Sequence, residues 1–261
     1  MKFDTICLTH GDVSAEVIPA RGALISALNV RGKDVLFLDR GTLEDPSKNV
    51  RGGIPLLFPF AGKLDEGKFL PAGTEMKQHG FGRNKSWQIA EQSDSQLRMK
   101  LAPDAETRKV YPYEFYADQT VIVLPHGVQI ELLVRNDDTR PLPVSPGWHP
   151  YFNCPEDKKA GVTGDVSGFM ATPHGDAAEF DFGFPAPSHG RARFQIPELG
   201  MLRLSFSPVM RHLQFWSLPG GRNFICIEPF FGPNNTINTA KRLEIPPGEA
   251  RLFFMRIEIG E

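Results

Sequence analysis

The sequence predicts an all-β fold, an antiparallel sandwich or barrel built as one domain over residues 1–261, on three observations. Apolar and polar residues alternate with a period of two in several stretches, as half-buried strands require. The 25 glycines and 23 prolines are spread so that few stretches can hold three uninterrupted helical turns. Strand-like runs recur every ~8–12 residues between Pro, Gly, Asn and Asp turns, a spacing that favours antiparallel pairing over βαβ units.

Taken in chain order, Leu97, Met99 and Leu101 alternate with Arg98 and Lys100, which predicts a strand with one apolar face. Residues 119–124 and 128–134 flank a Pro125-His126-Gly127 turn and predict a hairpin. Residues 161–168 are expected as a loop, and Pro246-Pro247-Gly248 as a turn before the last strand. In that strand Phe253, Met255, Ile257 and Ile259 point one way, Arg256 and Glu258 the other. No stretch has linker-like or low-complexity composition, and no repeat recurs at a fixed period.

A net charge of -2 and a pI near 6.4 predict no attraction to nucleic acid or to an anionic membrane, so the expected partner is a small molecule. Cys7, Cys154 and Cys226 fit no zinc or redox spacing, which suggests reduced thiols. The first residues alternate polar and apolar without an apolar core of a signal peptide, and no run approaches the ~18–20 residues of a membrane span. The expected location is the cytoplasm. Oligomeric state has no signature in the sequence.

Four segments break the strand rules, and such breaks tend to mark function. Glu228 interrupts the apolar run Phe224–Gly232; a buried carboxyl there is either a general base or a structural group paired with an arginine. His149, in Trp148-His149-Pro150-Tyr151-Phe152, is either a rigidly held proton donor flanked by aromatics that offer a face to a sugar ring, or a core histidine bonded to backbone. Gln78-His79-Gly80-Phe81-Gly82-Arg83 is either a ligand-gripping loop or a polar turn. Arg51, ahead of Gly52-Gly53-Ile54-Pro55, carries a fork suited to paired hydroxyls or a carboxylate, unless the glycines mark a plain β-bulge.

Together, Arg-Gly-Gly-Ile-Pro (51–55), His-Gly-Phe-Gly-Arg (79–83), Trp-His-Pro-Tyr-Phe (148–152), Ile-Glu-Pro (227–229) and Pro-Gly-Glu (247–249) occur in an order that resembles the galactose mutarotase-like aldose 1-epimerases. The resemblance runs from about Ile18 to the C-terminus. Residues 106–112 and 226–229 are similar to small bacterial members, and Arg51–Pro55 also to the glucose-6-phosphate 1-epimerase branch.

The resemblance implies an antiparallel β-supersandwich with the sugar in a cleft on one face, and a cofactor-independent isomerase that needs no metal. It implies that Glu228 takes the proton of the anomeric hydroxyl, that His149 protonates the ring oxygen, and that His79 binds near that oxygen. Arg51, Arg83 and Gln78 are implied sugar contacts, as is Asp181 of Glu179-Phe180-Asp181-Phe182. For a phosphorylated sugar Arg51, Arg83 and Lys63 are the candidate phosphate ligands.

Three other readings compete. A non-catalytic sugar-binding protein on the same fold would not need both acid and base. A glycoside hydrolase usually carries two carboxyls, where here the second group is a histidine. A cupin-type metal enzyme draws on closely spaced histidines, and the seven here, His174 among them, include no His-x-His pair.

Overall fold

The computed structural model describes residues 3–169, 180–220 and 222–260. His174 and Glu179 lie outside these. Between named strands every pairing is antiparallel.

The largest sheet is ordered Thr163–Gly164, Arg191–Ile196, Gly200–Phe206, Ala250–Ile259, Gly127–Asn136, Phe115–Leu124, Gln96–Leu101 and Gln88–Gln92. Its centre is the expected hairpin, with Leu124 opposite Gly127 across the turn. The apolar members of each alternating strand (Leu97 and Met99, Val121 and Val123, Met255 and Ile257) are buried in one cluster, as period two requires. Thr163–Gly164, expected as loop, is a two-residue strand at the sheet edge. Two residues carry no readable period, so only the partner strand reveals it.

A second sheet is ordered Phe180–Pro185, His212–Ser217, Phe224–Phe230, Gly147–Trp148 and Leu56–Leu57, with Tyr151–Asn153 also paired to Phe224–Phe230. Its inward residues Leu213, Phe215, Ile225, Ile227, Trp148 and Phe152 join the same core cluster as the large sheet. A four-stranded sheet, Ile6–His10, Val13–Ile18, Leu24–Val30 and Lys33–Asp34, adds its apolar face to that core.

Among the described residues helix is confined to short pieces. Arg40–Glu44 starts where the Asp39 side chain accepts from the Thr42 N–H. Ala105–Val110 starts at an Asp104/Thr107 capping box, with Lys and Arg in its last turn.

Candidate active site

Alternation on the second sheet sorts its residues between core and cleft. Along Phe224–Phe230 the core takes Ile225 and Ile227, which leaves Cys226, Glu228 and Phe230 on the other face. Gln214 pairs with Glu228, and Asp181 with Trp216, so residues distant in the chain reach one surface. Over that surface lies a pocket of about 640 Å³, lined among others by Arg51, Arg83, His79, His149, Trp216 and Glu228.

Glu228 and His149 form its floor, 1% and 7% exposed, with Oε2 3.5 Å from the histidine Nε2. Glu228 Oε1 and His149 Nδ1 are buried without a hydrogen-bond partner. Burial raises the Glu228 carboxyl well above the ordinary carboxylate range; Asp181 adds to this and Arg83 opposes it. Burial, helped by the positive charge of Arg83, lowers His149 to about 3. Burial thus favours a carboxylic acid beside a neutral imidazole, the form in which the pair holds one proton between them. The ring of His149 stacks on Tyr151, 4.6 Å between centroids at 10°, and meets Trp216 edge-on.

His79 lies at φ 68° in a loop that packs its ring 5.6 Å from that of His149. The Gly62 N–H donates to its Nδ1 at 2.9 Å, which places the ring proton on Nε2. Gln78 Nε2 lies 2.9 Å from His79 Nε2; with the ring proton on that nitrogen, the amide turned over presents its oxygen as the acceptor. Burial, then the charges of Arg83, His149 and Lys63, hold His79 well below its usual range, so it is a neutral donor. Gly62 is at φ 85°, and a Cβ there would come within 2.3 Å of Asn234 Oδ1. That oxygen accepts from the Lys63 N–H, so Asn234 pins the turn that sets the tautomer of His79.

Arg83 reaches the pocket with Nη2 donating to the Gln78 carbonyl at 3.1 Å, while its buried Nε is unpartnered. Arg51 is exposed at the rim. Its two glycines are explained by close packing: a Cβ on Gly53 would lie 2.3 Å from the Ile25 oxygen, and one on Gly52 2.5 Å from Leu38 Cα. Asp181 accepts from Gln214 Nε2 at 2.5 Å and pairs with Lys63 at 3.6 Å.

All the candidates (Glu228, His149, His79, Gln78, Arg51, Arg83, Asp181 and Lys63) thus line one pocket. Trp148 does not offer a face to a sugar: it is fully buried in the core, because it lies on the opposite side of the chain from His149. Tyr151, another aromatic of that segment, does line the pocket, together with Trp216 and Phe230. Trp216, Gln214, Lys48 and Arg222 escaped the sequence reading. For Trp216 and Gln214 a signal existed, since His212-Leu213-Gln214-Phe215-Trp216 alternates and puts the tryptophan on the polar side.

A family model described as aldose 1-epimerase matches residues 4–191. A Cenchrus ciliaris protein named "Putative glucose-6-phosphate 1-epimerase" is 29% identical over 150 residues, 53% of this chain and 43% of its own length. An Escherichia coli K12 protein of the same name is 27% identical over 173 residues, 62% of this chain and 53% of its own length. The chain spans about half the length of the curated relatives it matches. Among solved structures, the Slr1438 protein of Synechocystis sp. PCC 6803 has a TM-score of 0.91 at 29% identity, covering 100% of this chain and 96% of that one. A galactose mutarotase-like protein of Lactobacillus casei has a TM-score of 0.77 at 22% identity over 98% of this chain and 100% of its own, a likeness of fold.

Proposed function

This chain belongs to the aldose 1-epimerase family, and on that premise we propose that it interconverts the α and β anomers of a hexose, opening the ring to the aldehyde and reclosing it on either face. The observation that carries the proposal is the Glu228–His149 pair, 3.5 Å apart and buried beneath the pocket, with an unpartnered polar atom on each residue.

In this reading a sugar over the pair supplies the missing hydrogen bonds. As substrate settles, the shared proton moves in this reading to His149, the anomeric hydroxyl donating to the Glu228 carboxylate and the ring oxygen accepting from the imidazolium. Glu228 takes the proton of the anomeric hydroxyl, the bond from C1 to the ring oxygen breaks, and His149 protonates that oxygen. Rotation about C1–C2 presents the other carbonyl face. The ring hydroxyl then returns its proton to His149 as it attacks C1, and Glu228 protonates the new anomeric oxygen. Both groups end as they began. Two general catalysts contributing ~10²–10⁴-fold each suffice for a reaction that already proceeds in water. His79 donates from Nε2 to the ring or anomeric oxygen, exchanging the Gln78 amide for substrate. Trp216 covers an apolar sugar face, and Asp181 with Gln214 accepts from and donates to hydroxyls.

A second reading, a hexose 6-phosphate as substrate, is favoured by one observation. Lys48, Arg51, Lys63, Arg83 and Arg222 line the pocket against the acids Asp39, Asp181 and Glu228. The curated relatives' printed names point the same way. Polarimetry or NMR saturation transfer across glucose, galactose and glucose 6-phosphate tests both readings. Acceleration of the phosphate ester alone selects the second, and acceleration of none refutes the epimerase.

A cytoplasmic location belongs to the same proposal, supported by three free cysteines. Among the described residues no helix is long and apolar enough to cross a membrane.

A further inference from the structure

Beside the acid–base pair lies a group that the proposed reaction does not use. One ligand atom each of His149, Cys226 and Glu228 lies within 4.8 Å of the others, and all three residues are buried. The strand explains the grouping. Cys226 and Glu228 are two residues apart on Phe224–Phe230 and so share one face of the strand, Glu228 lining the pocket and Cys226 fully buried next to it. Opposite them, Tyr151 pairs with Cys226 and Gly147 with Phe230, which sets His149 across from the interval between.

Two features separate this cluster from a thiol that merely packs in the core. Glu228 Oε1 and His149 Nδ1 have no hydrogen-bond partner, although their residues are 1% and 7% exposed. The donor set is also the right one: imidazole nitrogen, thiolate sulfur and carboxylate oxygen are the usual ligands of tetrahedral Zn²⁺. Metal–ligand bonds of ~2.0–2.3 Å place ligand atoms roughly 3.3–3.7 Å apart in such a site. The His149–Glu228 distance of 3.5 Å already falls there. The remaining separations, all within 4.8 Å, close with shifts of no more than about 1 Å.

We propose that His149, Cys226 and Glu228 bind a thiophilic divalent cation, Zn²⁺ or Cd²⁺, with the fourth position open to the pocket, and that the ion inhibits the protein. Binding releases the thiol proton to solvent, and Glu228 binds as the carboxylate. One thiolate and one carboxylate then neutralise the dication, so no net charge is left in a buried place. The ion occupies both groups that would carry the reaction and blocks sugar from the floor. The inhibition arm rests on the epimerase reading, whereas the binding arm does not.

The test uses metal-free protein carrying Cys7→Ser, which removes the exposed thiol. Titration with Cd²⁺ is expected to raise the ultraviolet thiolate-to-metal band and to saturate at one equivalent. Cys226→Ser should abolish the band, and Glu228→Gln should weaken Cd²⁺ binding at least ~10-fold. Anomer exchange should fall at least ~10-fold at saturation and recover on adding a chelator, with Cys226→Ser needing at least ~10-fold more Cd²⁺ for the same loss. Should Cys226→Ser not fold, His149→Ala reads the same band. No band in the parent protein, or an undiminished band without Cys226, overturns the proposal. A band together with a metal-free protein that epimerises no sugar refutes the function and leaves the metal site standing.

Discussion

Replacing Glu228 or His149 by Gln separates two titrations that cancel in the native pair. His149 is lowered in the folded protein from its ordinary 6.5 to about 3, while Glu228 is raised well above 4.5. Between pH 4.5 and 6.5 the unfolded chain carries imidazolium and carboxylate, while burial drives the folded pair toward imidazole and carboxylic acid. In that form both states hold one proton, so the pair adds no slope to stability. In Glu228→Gln only the histidine remains. Its depressed value means that the unfolded state takes up the proton first, so stability is lost as pH falls below 6.5. At ~1.4 kcal/mol per pH unit this amounts to about 3 kcal/mol by pH 4.5 and about 5 by pH 3. In His149→Gln only the carboxyl remains. Its raised value means that stability is full below 4.5 and is lost as pH rises toward the folded-state value. Urea unfolding of metal-free parent and both variants from pH 4.5 to 8 measures this as differences, so titrations elsewhere cancel. Relative to the parent, Glu228→Gln should gain stability at pH 8 and lose its own between 6.5 and 4.5. Equal pH slopes in all three proteins would refute the shared-proton account.

Three further outcomes follow from the geometry. Arg51→Ala and Arg222→Ala should each raise KM for glucose 6-phosphate about 10-fold or more and leave glucose nearly unaffected, in line with ~1.5–3 kcal/mol for a hydrogen bond to a charged group. Equal effects on both sugars would contradict a phosphate at the basic rim. Gly62→Ala puts a methyl 2.3 Å from Asn234 Oδ1 at a positive φ, so it should cost about 1–3 kcal/mol by denaturant unfolding and weaken sugar binding through His79. Wild-type stability would show that the turn yields freely. Trp216→Ala should raise KM several-fold with kcat less affected, because the proposed sugar pose sets the ring against the substrate face and not the reacting atoms; an effect on kcat alone would count against that placement.

Much of the fold was legible because period two survives in the long strands. The hairpin about Pro125-His126, the buried stripe of residues 253–259 and the apolar run around Glu228 are where the alternation puts them. The candidate residues were legible as breaks: a carboxyl in an apolar strand, and histidines fixed by proline or glycine. That all of them line one pocket was not legible. It depends on registers such as Gln214 with Glu228 and Asp181 with Trp216, which join strands distant in sequence and are set by packing. The same limit hid Trp216 and made Trp148 look like a sugar platform, since one residue of offset moves a side chain to the other face. It also hid the approach of Cys226 to His149, because a three-element cluster has no spacing to read.

The central claim is that Glu228 and His149 together open and close a sugar ring. The most direct test is the anomer exchange rate, by NMR saturation transfer on the metal-free protein, for wild type, Glu228→Gln and His149→Ala. The account expects acceleration by wild type with glucose or its 6-phosphate, and a loss of ~10²-fold or more in each folded variant. Near-wild-type exchange in either variant, or no acceleration by the wild-type protein with any sugar, would contradict it.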